Sequence, residues 1–482
     1  MKHEVTASEL DEAGAGVGTA GGVRVHVADL LPGERAEVAI DHTSPHRAEA
    51  WARIVRRLGA PSLDRVEPAC PAFGRCGGCT WQHLAYPAQL VAKRARVAAA
   101  LADVPAVQCG DVAIADARPS PAVLGYRNKG KYVAGTTGAG ELVLGAYAPR
   151  SHHVVDTLGC RVVAPIIDEV ASWVRGAAAR AQLAPYDEAT RTGELRYAIV
   201  REAGGDVMVV LVVASRTPRV KLERVANALS KHPAVCGLVA IANDRRDGAI
   251  VPSGSAARVL LGHGHLVEQL AGVPVEVGAA EFVQVNRAQA AAMYARIAEL
   301  ALESDSDGAA APSALRAVDL FAGLGGIGLH LARAGARVVA VELDRDAVAQ
   351  LRRAADHAGL PLVALAGDAA KIAPDVRAQL GARPDIVVVN PPRKGLAGAL
   401  PLVVELGAPT VIYASCGPES LGRDVIELAD AGYAPDVIEP FDLMPGTGQI
   451  ETVVRLRRRG GSGGSGRADR RGAGAGGDRR LG

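Results

Sequence analysis

The stretch AVDLFAGLGGIGLHLARAGARVVAVELD, residues 317–344, constrains the fold of this chain more than any other. It predicts a strand, a glycine loop, a helix and a second strand that ends in an acid. Gly323, Gly325 and Gly328 match the pattern G-x-G-x-x-G, and Glu342 ends the second strand 19 residues after Gly323. Such glycines let the backbone approach a nucleotide-type cofactor, and such a carboxylate accepts hydrogen bonds from ribose hydroxyls.

The rest of the chain divides into segments of different character. Short apolar runs broken by glycines predict a small all-β barrel over residues 1–62. Residues 63–290 mix strand and helix patterns and predict a central α+β unit, while SDSDGAAAPSA, residues 304–314, has the composition of a linker. Alternating strands and helices over residues 291–457 predict a doubly wound α/β domain. The Arg/Gly-rich residues 458–482 have almost no apolar side chains and are predicted to be disordered.

The glycine loop alone fits both nicotinamide and S-adenosylmethionine and does not decide between them. The segment DIVVVNPPRKGL, residues 385–396, places Asn390, Pro391 and Pro392 at the end of a strand. Methyltransferases of this fold meet the methyl donor and the target there, whereas a dehydrogenase has no obvious need for such a segment. The alternative interpretation is a proline-rich turn that merely closes the strand.

Three cysteines in CPAFGRCGGC have a spacing typical of a metal site. Cys70, Cys76 and Cys79 follow the pattern C-x5-C-x2-C, with two glycines that permit a tight loop. Three thiolates need a fourth ligand, and Cys160 is the best candidate. Soft thiolates select zinc or an iron–sulfur cluster, and the spacing does not separate the two.

A further cysteine, Cys416, lies in IYASCGPESLGRDV, residues 412–425. An apolar run precedes it, and Pro418 suits the first turn of a helix that follows. Because a helix amino terminus carries partial positive charge, we expect the pKa of this thiol to be lowered toward the reactive thiolate. The alternative is an inert core cysteine.

The net charge of +2 conceals an uneven distribution. Residues 455–482 contain nine arginines and two aspartates, so the rest of the chain is net negative. Bulk charge therefore does not predict a nucleic-acid partner, and local basic patches would have to supply phosphate contacts. We expect a cytoplasmic protein without a membrane partner, because no apolar run could span a bilayer and no signal peptide is present. Nothing points to an obligate protein partner.

Together these motifs resemble the RNA uracil-C5 methyltransferases, specifically the 23S ribosomal RNA type with an N-terminal TRAM domain and an iron–sulfur cluster. The resemblance covers nearly the whole chain to residue 457. It implies a Rossmann-like class I methyltransferase domain, preceded by a TRAM/OB-like β-barrel and a central α+β RNA-binding domain. It rests on the order of the motifs LPGE, CGGCTWQHLAYPAQL, GYRNKGKY, FVQVNRAQA, DLFAGLGGIGL, NPPRKG, YASCGPESLGRD and QIETVVRL.

The resemblance also implies the site residues. Cys416 would be the nucleophile that adds to C6 of uracil, and Glu451 would be the base that removes the C5 proton. The residues implied to contact S-adenosylmethionine are Gln284, Phe321, Gly326, Glu342 and Asn390. The ligands implied for a 4Fe-4S cluster are Cys70, Cys76, Cys79 and Cys160.

RNA is the implied partner, ribosomal RNA before tRNA. Arg127, Lys129 and Lys131 form a basic group suited to RNA phosphates, although a solvated strand face explains them equally well. The remaining alternatives are an inactive RNA-binding relative and an NAD-linked redox enzyme.

Four positions depart from the family pattern. Asn390 stands at a usual aspartate, Gln449 at a usual histidine, and Gly326 and Gly417 at usual asparagines. An amide and a carboxylate differ in charge and in hydrogen-bond donors, so the polar contacts of Asn390 are expected to be rearranged.

Overall fold

The computed structural model describes residues 2–252, 255–303 and 315–459. The expected linker, residues 304–314, lies outside them, as does all but the start of the expected disordered tail. In these three ranges no helix is both long and apolar enough to cross a membrane.

The chain begins with a six-stranded sheet in the order β1-β5-β6-β4-β3-β2. Buried side chains, among them Val5, Val25, Val27 and Val38, alternate with more exposed neighbours, so one face of the sheet encloses a small core. That this segment is a TRAM domain stays a prediction. The strands are β1 (Lys2–Thr6), β2 (Glu9–Leu10), β3 (Ala15–Ala20), β4 (Val23–Ala28), β5 (Arg35–Thr43) and β6 (Glu49–Leu58).

Two helices and a second, seven-stranded sheet follow, in the order β13-β12-β11-β10-β7-β8-β9. Two neighbouring strands of this sheet, β10 and β11, pair antiparallel as a hairpin. Its turn consists of Gly204 and Gly205, whose φ angles of 61° and 94° favour glycine. The elements are α1 (Tyr86–Ala100), α2 (Pro105–Gln108), β7 (Lys129–Thr136), β8 (Leu142–Tyr147), β9 (Val154–Asp156), α3 (Pro165–Arg180), β10 (Leu195–Ala203), β11 (Asp206–Val213), α4 (Arg219–Leu229), β12 (Val235–Ala242) and β13 (Ala257–Gly262).

A hairpin and one helix lead to the third large sheet. The helix is capped by Asn286, whose side chain accepts a hydrogen bond from the backbone N–H of Gln289. These elements are β14 (His265–Leu270), β15 (Val273–Gly278) and α5 (Arg287–Leu302).

The third sheet has seven strands in the order β18-β17-β16-β19-β20-β22-β21. The first five are parallel and alternate with helices, which confirms the predicted Rossmann-like α/β fold. Its apolar strands are covered on both faces, as parallel sheets require. The elements are β16 (Arg316–Leu320), α6 (Gly326–Arg333), β17 (Arg337–Glu342), α7 (Arg345–His357), β18 (Leu362–Ala366), α8 (Ala373–Leu380), β19 (Ile386–Val389), α9 (Leu400–Leu406), β20 (Thr410–Ser415), α10 (Pro418–Asp430), β21 (Tyr433–Phe441) and β22 (Glu451–Arg458).

A buried ion pair fastens α1 to the end of β21. Lys93 Nζ donates to Asp442 Oδ1 at 2.6 Å, and both side chains are 0% exposed. Lys93 Nζ also donates to the carbonyl of Met444 at 3.0 Å. Burial alone lowers the pKa of Lys93, whereas the charge of Asp442 raises it, so the ammonium depends on its partner to stay charged.

We predict that Lys93→Met lowers the free energy of unfolding, measured by urea denaturation, by about 3–5 kcal/mol, because a buried carboxylate loses its counter-ion. The double variant Lys93→Met/Asp442→Asn removes both charges and should recover most of that loss. Equal loss in the single and double variants would contradict a charge-balance role.

Candidate active site and cysteine cluster

The carboxyl ends of four parallel strands deliver predicted site residues to one edge of the third sheet. Phe321 follows β16, Glu342 ends β17, Asn390 follows β19 and Cys416 follows β20. Carboxyl ends of parallel strands lie at the same edge, where ligands bind in open α/β sheets. Glu451 reaches this edge too, because it is the first residue of β22, which runs antiparallel to β20.

A cavity of about 830 Å³ opens at this edge. Its size fits a nucleotide-type cofactor together with part of a second molecule. The residues predicted for catalysis and cofactor binding all line it, namely Cys416, Glu451, Gln284, Phe321, Gly326, Glu342 and Asn390.

The glycine loop has the backbone conformation that its sequence predicts. Gly323 and Gly325 adopt φ angles of 55° and 84°, and Phe321, although not a glycine, adopts 63°. Glu342 fastens the loop: its Oε2 accepts from the Gly323 N–H and its Oε1 from the Asp344 N–H, both at 2.9 Å. Strained backbone of this kind is typical of sites that position a ligand.

The environment of Cys416 differs from the expectation. Burial raises the pKa of this thiol and the nearby Glu451 charge raises it further, whereas the charge and hydrogen bond of Arg393 lower it. The predicted lowering of this pKa is wrong, because burial of the thiol and the charge of Glu451 outweigh the effect of Arg393. Glu451 is affected in the same way: burial raises its pKa to about 7, and Arg393 opposes the shift.

Arg393 is a site residue that the sequence analysis missed. It lines the cavity and affects both Cys416 and Glu451. Its Nη1 also lies 3.8 Å from Glu12 Oε1 of the first sheet's β2–β3 connection. The signal was present in NPPRKG, where a cation immediately follows the two prolines.

A second missed residue is Phe282, which lines the cavity yet remains 70% exposed. An aromatic face at the mouth of a cavity suits the stacking of a planar ring. The motif FVQVN contained this residue, but only its glutamine was singled out.

Gly417, where the family usually has asparagine, lies in a tight position. A Cβ atom there would be 2.8 Å from Ser420 Oγ and 3.2 Å from the carbonyl oxygen of Arg393. A side chain at this position would therefore require small shifts of Ser420 and of the NPPR segment. Gln449, another departure, lines the cavity.

The four cysteines predicted as metal ligands lie near one another. Burial raises the pKa of Cys76, and the charges of Cys160 and Cys70 add to the rise. The pKa of Cys79 is raised to about 11 by burial, with Cys160 and Cys76 contributing in the same direction. Even so, the described ranges contain no group of three or more His, Cys, Asp or Glu side chains arranged to hold a metal ion.

The three basic residues predicted to contact RNA phosphates, Arg127, Lys129 and Lys131, lie in different surroundings. The charge of Arg127 lowers the pKa of Cys79, so this guanidinium faces the cysteines. Lys129 is partly buried, and burial followed by the charges of Arg201 and Lys131 lowers its pKa to about 7. Lys131 alone of the three is exposed.

Comparison with known proteins gives extensive similarity. The family model described as "Conserved hypothetical protein 95" matches residues 309–404. An uncharacterized RNA methyltransferase of Halalkalibacterium halodurans is 32% identical, over 94% of this chain and 96% of that protein. One of Caldanaerobacter subterraneus is also 32% identical, over 94% of this chain and 98% of its own length.

A solved structure shares the fold over almost all of both chains. It is the tRNA (uracil-54, C5)-methyltransferase of Pyrococcus abyssi in complex with S-adenosyl-L-homocysteine, with a TM-score of 0.73 and 21% identity. The structural match covers 94% of this chain and 99% of the Pyrococcus abyssi chain. The two relatives that are 32% identical in sequence align with this chain over nearly their whole length. The chain therefore belongs to the RNA methyltransferase family.

Proposed function

We propose that the chain transfers a methyl group from S-adenosylmethionine to C5 of uridine in RNA, with ribosomal RNA as the substrate. One observation carries the proposal: a thiol, a buried carboxylate and an arginine meet in the same cavity as the glycine loop. A nucleophile and a base with shifted pKa values in a cleft are typical of a catalytic site.

The first step would be an attack by Cys416. Its thiolate forms a bond to C6 of uracil, and the C5–C6 π electrons move to the C4 oxygen, which leaves C5 nucleophilic. Arg393 would favour this step, because its charge and hydrogen bond stabilise the thiolate against burial.

Release of the product would depend on Glu451. S-adenosylmethionine would supply the methyl group: C5 would bond to the methyl carbon while the bond from that carbon to the positively charged sulfur breaks, so that neutral S-adenosylhomocysteine would leave. Glu451 then accepts the C5 proton, the bond between C6 and Cys416 breaks, and the C5–C6 double bond is restored. A carboxylate whose pKa is raised to about 7 can take up this proton near neutral pH.

The target base would have to leave its stack to reach Cys416, because the thiol lies inside the cavity. Phe282 is suited to stack against such a base at the entrance. The resemblance favours ribosomal RNA, whereas the named substrate of the Pyrococcus abyssi protein makes tRNA the second candidate.

We further propose that Cys70, Cys76, Cys79 and Cys160 hold a 4Fe-4S cluster. A single ion needs all its ligands around one point, whereas a cluster spreads its four thiolates over several irons. The choice of a cluster comes from the resemblance, and the charges that these thiols exert on one another support their lying near one another. Arg127 would offset part of the negative charge of the thiolates.

We predict that the wild-type protein forms a covalent adduct with RNA containing 5-fluorouridine, because fluorine at C5 prevents the proton removal that releases the enzyme. Cys416→Ala should abolish the adduct on denaturing gels. Cys109→Ser, which removes an exposed thiol, is the matched control and should leave adduct formation intact.

The same trap decides the substrate. A 23S ribosomal RNA transcript should give the adduct, and a tRNA transcript should not. An adduct with tRNA alone would replace the ribosomal assignment, and an adduct that survives Cys416→Ala would overturn the proposed nucleophile.

We predict that product release accelerates as pH rises from about 6 to about 8, because Glu451 accepts a proton only after losing its own, at a pKa of about 7. Release is followed by the decay of adduct in single-turnover reactions. Glu451→Gln, which cannot act as a base, should accumulate methylated adduct at every pH. A flat profile in the wild type would argue against this base.

We predict that protein purified without oxygen contains iron and acid-labile sulfide. Cys79→Ser and Cys160→Ser should each lose both, because thiolates bind the irons. Cys236→Ser is the control, since Cys236 is a half-buried thiol on β12. Stoichiometric zinc without iron would contradict the cluster assignment.

A further inference from the structure

The wall of the cavity has an unusual packing where α5 meets the start of α6. A Cβ atom at Gly326 would lie 2.6 Å from Tyr294 Cε2 and 2.9 Å from Tyr294 Cζ. Separations this short do not occur between real atoms, so the phenol ring fills the volume that a side chain at position 326 would need. The ring also packs against His330, which belongs to α6 like Gly326, and the two ring centroids are 5.7 Å apart.

The ring also brings a hydroxyl group to the cavity. Tyr294, Gly326 and His330 all belong to the cavity lining. Tyr294 Oη would be 3.2 Å from the same Cβ atom, so it lies beside the first turn of α6. None of the side chains or backbone groups in the described ranges forms a hydrogen bond with this hydroxyl, which leaves it available to a bound molecule.

The charges around the hydroxyl indicate what it would bind. Burial raises the pKa of Tyr294, as do the charges of Glu451 and Asp319, so the phenol stays protonated and donates. The first turn of α6 adds backbone N–H groups at the positive end of the helix, because its N-cap, Gly325, has no capping side chain. The hydroxyl and the N–H groups of this turn are donors for a carboxylate, and Glu451, which also lines the cavity and acts on the same phenol, suits an ammonium.

We propose that Tyr294 is a further cofactor-binding residue, which takes the place of a side chain at position 326 and donates a hydrogen bond to the amino-acid end of S-adenosylmethionine. This inference rests on the proposed use of that cofactor. Tyr294 and Gly326 would then act together: Tyr294 on α5 supplies the side chain that contacts the cofactor, and Gly326 on α6 leaves the space for it.

The test compares two ligands by calorimetry. S-adenosylhomocysteine has the amino-acid end, whereas 5′-methylthioadenosine lacks it and keeps the adenosine. Tyr294→Phe keeps the ring and removes only the hydroxyl, so it should weaken S-adenosylhomocysteine binding about tenfold or more, as a lost hydrogen bond to a charged group does. It should leave methylthioadenosine binding unchanged.

A second pair of variants tests the shared volume. Gly326→Ala should weaken S-adenosylhomocysteine binding, because the new methyl group displaces the ring. In a Tyr294→Ala background, the same Gly326→Ala change should cost much less, because the ring is gone.

The outcomes separate the two proposals. Equal effects of Tyr294→Phe on both ligands, or no effect on either, would overturn the role of Tyr294 while leaving the proposed function intact. A wild-type protein that does not bind S-adenosylhomocysteine would overturn both.

Discussion

The geometry of the site depends on the hydrogen bonds that hold one irregular loop, residues 442–449, between β21 and β22. A buried loop has no sheet partners, so its carbonyl groups need donors from elsewhere. Here the donors come from distant parts of the chain. They are Asn286 for Leu443, Lys93 for Met444, Tyr126 for Pro445, the Trp81 N–H for Gly446 and Arg96 for Gly448. Glu451 follows closely after this loop in the sequence. The segment just after Cys79, helix α1 and the N-cap of α5 therefore all help to position Glu451.

The cavity brings two acidic groups, Cys416 and Glu451, together with a cation, Arg393. Burial raises the pKa of both Cys416 and Glu451, and the charge of Glu451 raises that of Cys416 further. Arg393 is the group that favours the charged form of each. A single cation that serves two acids stabilises whichever of them is ionised at a given stage, which suits a reaction that needs a thiolate first and a carboxylate afterwards.

Much of the architecture follows from sequence patterns, because the glycine loop, the alternating strands and helices and the strand-end motifs have strong local signals. Gln284, Phe321 and Asn390 were expected near one another because each belongs to a motif close to the end or start of an element, and all three line the cavity. Arg393 and Phe282 were missed because their roles depend on burial and direction, which a linear pattern does not contain. The pKa of Cys416 was mispredicted for a related reason: the helix terminus is visible in sequence, whereas the loss of hydration is not.

The strand order of the third sheet has a consequence for how the protein is made. β22 lies between β20 and β21, although it is synthesised after both. Until it emerges from the ribosome, two strand edges with unpaired N–H and C=O groups face an empty slot, and such edges readily recruit other chains. The closing segment thus completes the sheet and brings Glu451 to the cavity in one event, so a prematurely terminated polypeptide would lack this carboxylate and be prone to aggregate.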